Sequence, residues 1–198
     1  MNHSPLDDSA LRQLFLDARS LHSFSDAPVD GALLQRVYAL ARMGPTAQNS
    51  QPARYAFVTS AQAKARLLPA MMPGNAPKVQ AAPVTVILAM DSQFAQTLPT
   101  LWPHDPALPS RLAANPVMSE AMLRRNATLG GAYLMLAARA LGLACGPMSG
   151  FDAAKVDAEF FPDGRWRSNF LCNLGFAAPS GAHARGPRLD FDQACQVL

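Results

Sequence analysis

The segment Met118–Leu143 constrains this chain most. Its 26 residues contain no proline, and apolar side chains recur through them at helical spacing. A helix this long needs apolar partners along most of its length. Gly130, Gly131, Ala132, Ala137 and Ala138 leave faces on which a second helix can approach closely. The segment therefore reads as a central or dimer-interface helix. The second constraint is Pro83–Asp91 (PVTVILAMD), nearly continuous β-branched and aliphatic sequence, which predicts a strand buried on both faces.

The remaining elements arrange themselves around these two. Asp7–Arg19 places Leu11, Leu14, Phe15 and Ala18 at helical spacing. Asp30 caps a second helix, with Leu33, Leu34, Val37 and Leu40 on one face, that ends near Gly44-Pro45. A short strand follows at Arg54–Thr59, and Ser60 caps a helix through Leu68. Leu98–Pro116 holds five of the chain's 17 prolines and reads as an irregular loop or lid. Ala144–Met148 is a short strand, Asp152 caps a helix to Phe160, and Arg167–Ala177 is a further strand. Helices and strands are mixed without regular βαβ alternation, so the class is α+β. No linker, repeat or low-complexity tract divides residues 1–198, which read as one domain.

Several functions are disfavoured by what the sequence lacks. No GxGxxG follows a strand and no GxxxxGK[ST] occurs, so neither a Rossmann fingerprint nor a P-loop is present. Arg124–Arg125 is the only adjacent basic pair that stands out and has no interleaved aromatics, which speaks against nucleic-acid binding. Apolar runs are broken before they could span a bilayer, and Met1–Ser20 lacks a signal-peptide pattern; the expectation is a soluble cytoplasmic protein. Cys145, Cys172 and Cys195 are too widely spaced for a CxxC pair and read as small buried hydrophobes. The histidines (His3, His22, His104, His183) lack metal-ligand spacing, so no metal is expected. The charged fraction, 16%, lies well below the ~25% usual for soluble domains, and an obligate homodimer is the simplest explanation.

Polar or glycine-containing segments interrupt this apolar background. Arg19-Ser20-Leu21-His22 supplies a guanidinium, a hydroxyl and an imidazole, equipment suited to a phosphate. Gly44-Pro45-Thr46-Ala47-Gln48-Asn49-Ser50-Gln51-Pro52 offers small polar donors between prolines, suited to a flat heteroaromatic ligand. Gly74-Asn75-Ala76-Pro77-Lys78 and Gly146-Pro147-Met148-Ser149-Gly150 let backbone come close to a ring. His183-Ala184-Arg185-Gly186-Pro187-Arg188 is a second anion clamp. Together they fit a phosphorylated planar cofactor. No GxSxG or Ser/His/Asp set supplies a nucleophile.

Taken in order, these segments resemble the FMN-dependent nitroreductase superfamily. Arg19-Ser20…Phe24 resembles its N-terminal phosphate motif, Pro45–Pro52 its Pro-Ser-Ser-x-Asn-x-Gln-Pro loop, and Asn75…Lys78 its flavin-edge pair. Pro147–Gly150 stands where the family has Pro-x-Glu-Gly, and His183-x-Arg185 where it has Lys-x-Arg. The strings Gly142-Leu143…Gly146–Asp152, Trp102-Pro103-His104 and Ser168-Asn169 resemble most closely the malonic semialdehyde reductase (3-hydroxypropanoate dehydrogenase) subgroup of pyrimidine degradation.

The resemblance implies a nitroreductase-like fold with a mixed, mainly antiparallel sheet flanked by helices, in an intertwined homodimer. It implies FMN as cofactor, NADH or NADPH as hydride donor, and ping-pong transfer to malonic semialdehyde. Alternatives are a broad nitro, quinone or enone reductase, or a flavin-binding module without turnover. By the same resemblance Arg19, Ser20, His22, His183 and Arg185 lie at the FMN phosphate. Pro45, Thr46, Ala47 and Asn49 line the ring, with help from a partner subunit. Asn75 and Lys78 meet the pyrimidine end, and Pro147, Met148, Ser149 and Gly150 pack near the hydride-accepting position. No catalytic side chain is required, since the cofactor carries the hydride. A proton for the substrate could come from water, His104 or His22. Ala18 replaces the first arginine of the family's Arg-Arg-Ser, Ser149 its glutamate, and His183 its lysine.

Overall fold

In the computed structural model, residues 4–178 and 182–198 are described; His3 lies outside them. The chain opens with α1 (Asp8–Leu11), capped by the Asp7 carboxylate, which runs into a π-helical turn at Arg12–Leu16. The expected first helix is therefore shorter than Asp7–Arg19. Then follow α2 (Gly31–Ala41), β1 (Ala53–Val58), α3 (Ala61–Leu67), α4 (Ala76–Ala81) and β2 (Val84–Asp91). Next come α5 (Leu98–Leu101), α6 (Leu108–Ala114), α7 (Pro116–Ala140), β3 (Ala144–Met148), α8 (Ala153–Phe160), β4 (Trp166–Gly175) and the short α9 (Phe191–Ala194). Asp30, Ser60 and Asp152 each accept an N–H three residues on, as local capping chemistry predicts.

The four strands pair antiparallel in the order β1-β2-β4-β3. Among the described residues, the parallel component is the bridge of Ser20 to Cys145, beside β3. β2 is buried along its whole length and divides two cores. Val84, Val86 and Leu88 face α2 and α7, packing with Leu34, Val37, Leu134 and Ala138. Ile87 and Ala89 point to the other face, among Leu67, Val79, Val156 and Leu171. The small residues of α7 serve both contacts: Ala137 and Ala138 share a core with Leu34 and Val37 of α2, while Gly130 and Gly131 lie against the sheet. A Cβ on Gly131 would stand 2.6 Å from the Phe170 ring, and one on Gly130 2.8 Å from the Tyr55 hydroxyl.

Leu98–Pro116 is not the irregular lid that its prolines suggest. Pro99, Pro109 and Pro116 sit in the first turns of α5, α6 and α7, where a missing N–H costs no hydrogen bond. Leu98, Leu108 and Leu112 are buried with Phe94, Met122 and Leu123 in a third core, so the segment is a packed helical cap. Within Gly74–Lys78, α4 starts at Ala76. Cys145 and Cys172 are buried free thiols, but Cys195 is exposed, against the expectation that all three are buried. At one end of the sheet the fully buried Asp91 carboxylate meets Arg54 at 2.6 Å and Arg165 at 3.0 Å. Among the described residues, no helix is long and apolar enough to cross a membrane.

Candidate functional site

The π-helical turn ends in carbonyls that need donors, and two arginines from opposite ends of the chain supply them. Arg19 donates to the Leu16 and Ala18 carbonyls, both at 2.9 Å. Arg185 donates to the carbonyls of Phe15, Leu16 and Ala18 at 2.8, 2.7 and 2.9 Å. A third guanidinium, Arg139 in the last turn of α7, donates to the Leu14 carbonyl at 3.1 Å. These arginines border a cavity of about 680 Å³, with Ser20, His22, His183 and Arg188 also on its wall. No carboxylate lines it among the described residues. The His22 and His183 rings are 5.1 Å apart. Burial and the charges of Arg19, Arg188 and Arg139 lower the Arg185 pKa, against the opposing charge of Asp17.

The cradle is tied to β3 through backbone. Leu21 N–H donates to the Cys145 carbonyl at 2.9 Å, and this pairing brings Leu21 O against Gly146, where an added Cβ would stand 2.5 Å from it. Gly146→Ala is therefore expected to part Arg19–His22 from β3. Overpacking of about 1–3 kcal/mol would lower the thermal midpoint by about 2–12 °C, with weaker phosphate binding. An unchanged midpoint and unchanged phosphate binding would defeat this expectation.

Beside the cradle stands a second polar group. Asn75 Nδ2 donates to the Gly150 carbonyl at 3.1 Å, and Lys78 Nζ to Asn75 Oδ1 at 3.2 Å. A Cβ on Gly150 would lie 2.6 Å from Asn75 Nδ2 and would push that side chain aside. Met72 N–H also holds the Gly150 carbonyl, at 3.1 Å. Thus α4 and the Pro147–Gly150 turn meet at one place, with Met148 packed inward and Ser149 exposed. Burial, then the Lys78 charge, then His183 hold His22 below the ordinary imidazole range, which places Lys78 within electrostatic reach of the cradle.

The Pro45–Pro52 loop lies elsewhere in the chain. Gln48, Asn49 and Gln51 adopt φ of 47°, 47° and 40°, a left-handed backbone that costs non-glycine residues about 1–3 kcal/mol each. Side chains impose that shape. Ala47 N–H donates to the buried Asn126 Oδ1 at 2.7 Å, and Gln51 N–H to Thr46 Oγ1 at 3.2 Å. Asn49 Nδ2 donates to the Leu101 carbonyl at 3.0 Å, while its Oδ1 accepts from Gln51 Nε2 at 2.7 Å. Pro45, Ala47 and Asn49 are exposed. Thr46 and Gln51 border a small cavity that shares no wall residue with the cradle. One chain thus brings Arg19, Ser20, His22, His183 and Arg185 to one cavity wall and joins Asn75, Lys78 and Gly150 to one another, while Thr46 borders a different cavity.

Residues 16–176 match the Nitroreductase family. The chain belongs to that family. A Burkholderia lata relative whose inferred name is NADH dehydrogenase/NAD(P)H nitroreductase is 55% identical over 192 residues, covering 97% of this chain and 98% of its own. A family structure from Streptococcus pneumoniae superposes with a TM-score of 0.82 at 24% identity, over 94% of this chain and 98% of that one. A structure from Exiguobacterium sibiricum, named as a nitroreductase in complex with FMN, gives a TM-score of 0.86 at 18% identity over the whole of both chains.

Three polar side chains of this family member escaped the sequence reading. Arg139 joins the cradle, Asn126 pins the loop through Ala47, and Asn173 donates to the Lys78 carbonyl at 3.0 Å. Arg139 and Asn126 sit on α7, where a basic or amide residue reads as an ordinary exposed helix position. The one available signal is the spacing of Asn126 from Met122 and Leu123, four and three positions on, which puts it on the face of α7 that those apolar residues occupy.

Proposed function

We propose that this chain is an FMN-dependent NAD(P)H oxidoreductase, active as a homodimer, that reduces malonic semialdehyde to 3-hydroxypropanoate. The observation that carries the reading is the cradle: four guanidiniums and two imidazoles around one cavity, beside Asn75, Lys78 and Gly150. A wall of cations with no carboxylate among its described residues fits a phosphate dianion. The Gly150 turn, where even a Cβ would collide with Asn75, fits close approach of backbone to a flat ring.

FMN, when bound, supplies the hydride-transfer chemistry. Arg19, Ser20, His22, His183 and Arg185 hold its phosphate, with Arg139 behind them. Asn75 and Lys78 meet the pyrimidine edge, where the Lys78 ammonium offsets the negative charge of the reduced cofactor. Pro147, Met148, Ser149 and Gly150 pack against the ring. A second copy brings Pro45, Thr46, Ala47 and Asn49 to the ring's other side. The separation of this loop from the cradle in one chain supports that arrangement. The exposed apolar side chains Val117, Met118, Leu129 and Tyr133 of α7 and Leu189, Phe191, Val197 and Leu198 of the C-terminal arm are surface that such a second copy would cover.

For the substrate, support comes from the subgroup strings and from Ser149. A neutral hydroxyl in place of a glutamate spares the substrate's own carboxylate a like charge. The name of the Burkholderia lata relative favours a broader nitro-reducing activity instead. Side-by-side kcat/KM values separate the two: the expected result is at least tenfold preference for malonic semialdehyde over a nitroarene, and the reverse preference overturns the choice. Anaerobic bleaching of the flavin by NADH or by NADPH identifies the donor, and no bleaching with either leaves a flavin-binding module.

FMN affinity is also expected to depend on pH. A bound phosphate dianion favours protonated His22, whose pKa in the free chain is lowered. Binding therefore takes up protons, and affinity falls as pH rises through the bound-state pKa. Titrations between about pH 6.5 and 9 avoid the phosphate's own second proton, near pH 6. His22→Gln should flatten the profile; an unaltered slope removes His22 from the phosphate site.

A further inference from the structure

Two fully buried polar side chains on the central strands have no part in the chemistry above: Thr85 of β2 and Asn173 of β4. They are cross-strand partners, and Thr85 Oγ1 donates to Asn173 Oδ1 at 2.6 Å. Asn173 Nδ2 then donates to the Lys78 carbonyl at 3.0 Å. From the same residue the bonds continue outward: Lys78 Nζ to Asn75 Oδ1, and Asn75 Nδ2 to the Gly150 carbonyl. An unbroken series thus joins the sheet interior to the polar group beside the cradle.

Burying an amide and a hydroxyl costs stability unless each finds a partner, and an apolar pair of similar volume would fill the space without that cost. What an apolar pair could not do is hold a carbonyl of α4. That helix is only six residues long, and its Lys78 carbonyl otherwise accepts a single bond, from Ala82 N–H at 3.1 Å. A six-residue helix is too short to hold its own position.

We propose that Thr85 and Asn173 are positioning residues for Lys78, fixing where its ammonium stands and through it how strongly the site favours the reduced over the oxidised cofactor. The second half of this statement rests on the flavin reading; the first does not. Thr85→Val keeps the shape and removes the donor, while Thr85→Ser keeps the donor. In the full chain, the ratio of reduced to oxidised FMN affinity is obtained from the midpoint potential. Thr85→Val is expected to lower that ratio about tenfold, or about 30 mV for a two-electron couple. Thr85→Ser should stay within twofold of the parent. In a Lys78→Gln background Thr85→Val should change the ratio less than twofold, because the effect passes through Lys78.

A Thr85→Val variant that loses thermal stability while the ratio is unchanged overturns the proposal, as does an equal effect with and without Lys78. Thr85→Ala is read in the same way should Thr85→Val not fold. A second measurement needs no flavin. The chain has three lysines, Lys64, Lys78 and Lys155, so the ¹³C-dimethylated Lys78 signal can be assigned and titrated. A titration curve altered in Thr85→Val and restored in Thr85→Ser supports the positioning role even if FMN does not bind; superimposed curves overturn it. Failure of the parent to bind FMN strikes the flavin reading alone.

Discussion

Arg185→Ala is expected to weaken FMN binding by roughly thirtyfold or more, while riboflavin binding stays within threefold. Arg185 stands on the Phe15, Leu16 and Ala18 carbonyls, at and just beyond the end of the π-helical turn, so its guanidinium is oriented before any ligand arrives. Preorganised charge of this kind loses little entropy on binding, which is why the expected effect is large. Riboflavin has the same ring and lacks the phosphate. A loss confined to FMN therefore marks a phosphate contact, and an equal loss for both ligands marks a damaged fold. Arg185→Lys should fall between, since an ammonium keeps the charge and loses the planar fork. Flavin fluorescence titration reads all four cases, and a Kd for FMN unmoved by Arg185→Ala would remove the residue from the site.

The largest stability effect is expected at Asp91. Its carboxylate is fully buried and receives Arg54, both donors of an Arg165 fork and the Gln93 N–H at 2.9 Å. Burial pushes its pKa up. The Arg165 hydrogen bonds, the Gln93 N–H and the charges of both arginines outweigh that, and the carboxyl ends below the usual range. Asp91→Asn leaves two guanidiniums facing each other without a counter-ion, and about 3–5 kcal/mol of stability should be lost. Denaturant unfolding checks this as a lower midpoint at an unchanged slope. A loss under about 1 kcal/mol would show that solvent already screens the pair. The pH dependence has a definite sign. A depressed carboxylate pKa stabilises above the unfolded value, near 3.9, and that share disappears as pH falls through the folded value. The parent should therefore lose stability on acidification below about pH 4 by an amount that Asp91→Asn does not show. Because Arg54 also donates to the Gln51 carbonyl at 2.8 Å, the variant should loosen the left-handed loop as well.

Much of the architecture was legible because it is local or periodic. Asp30, Ser60 and Asp152 cap their helices through N–H groups three residues away, a reach that sequence spacing alone defines. The alternation of Val84, Val86 and Leu88 against Ile87 and Ala89 follows from the pleat of a strand with apolar residues on both sides. Leu98–Pro116 was misread for an equally local reason. Proline in a first helical turn and proline in a loop look alike until Leu98, Leu108 and Leu112 are seen to share a core.

The candidate site divides along the same line. The residue types of the cradle and of the Asn75–Lys78 and Pro147–Gly150 segments, and their order along the chain, were determined by the sequence by itself, and so was the resemblance they carry. Which of them meet was decided by the tertiary structure. Arg19 and Arg185 share the Leu16 and Ala18 carbonyls although 166 positions separate them, because the π-helical turn places those carbonyls between them. Arg139 enters the cradle because the end of α7 docks on Leu14, and Asn173 reaches Lys78 because β4 pairs with β2 in one register. Asn49 spends its amide on Leu101 and Gln51, which no spacing announces. Helix caps and strand faces depend on neighbours within a few residues. The site depends on long-range register and on which backbone carbonyls were left without donors, and these are settled only when the sheet and α7 are packed.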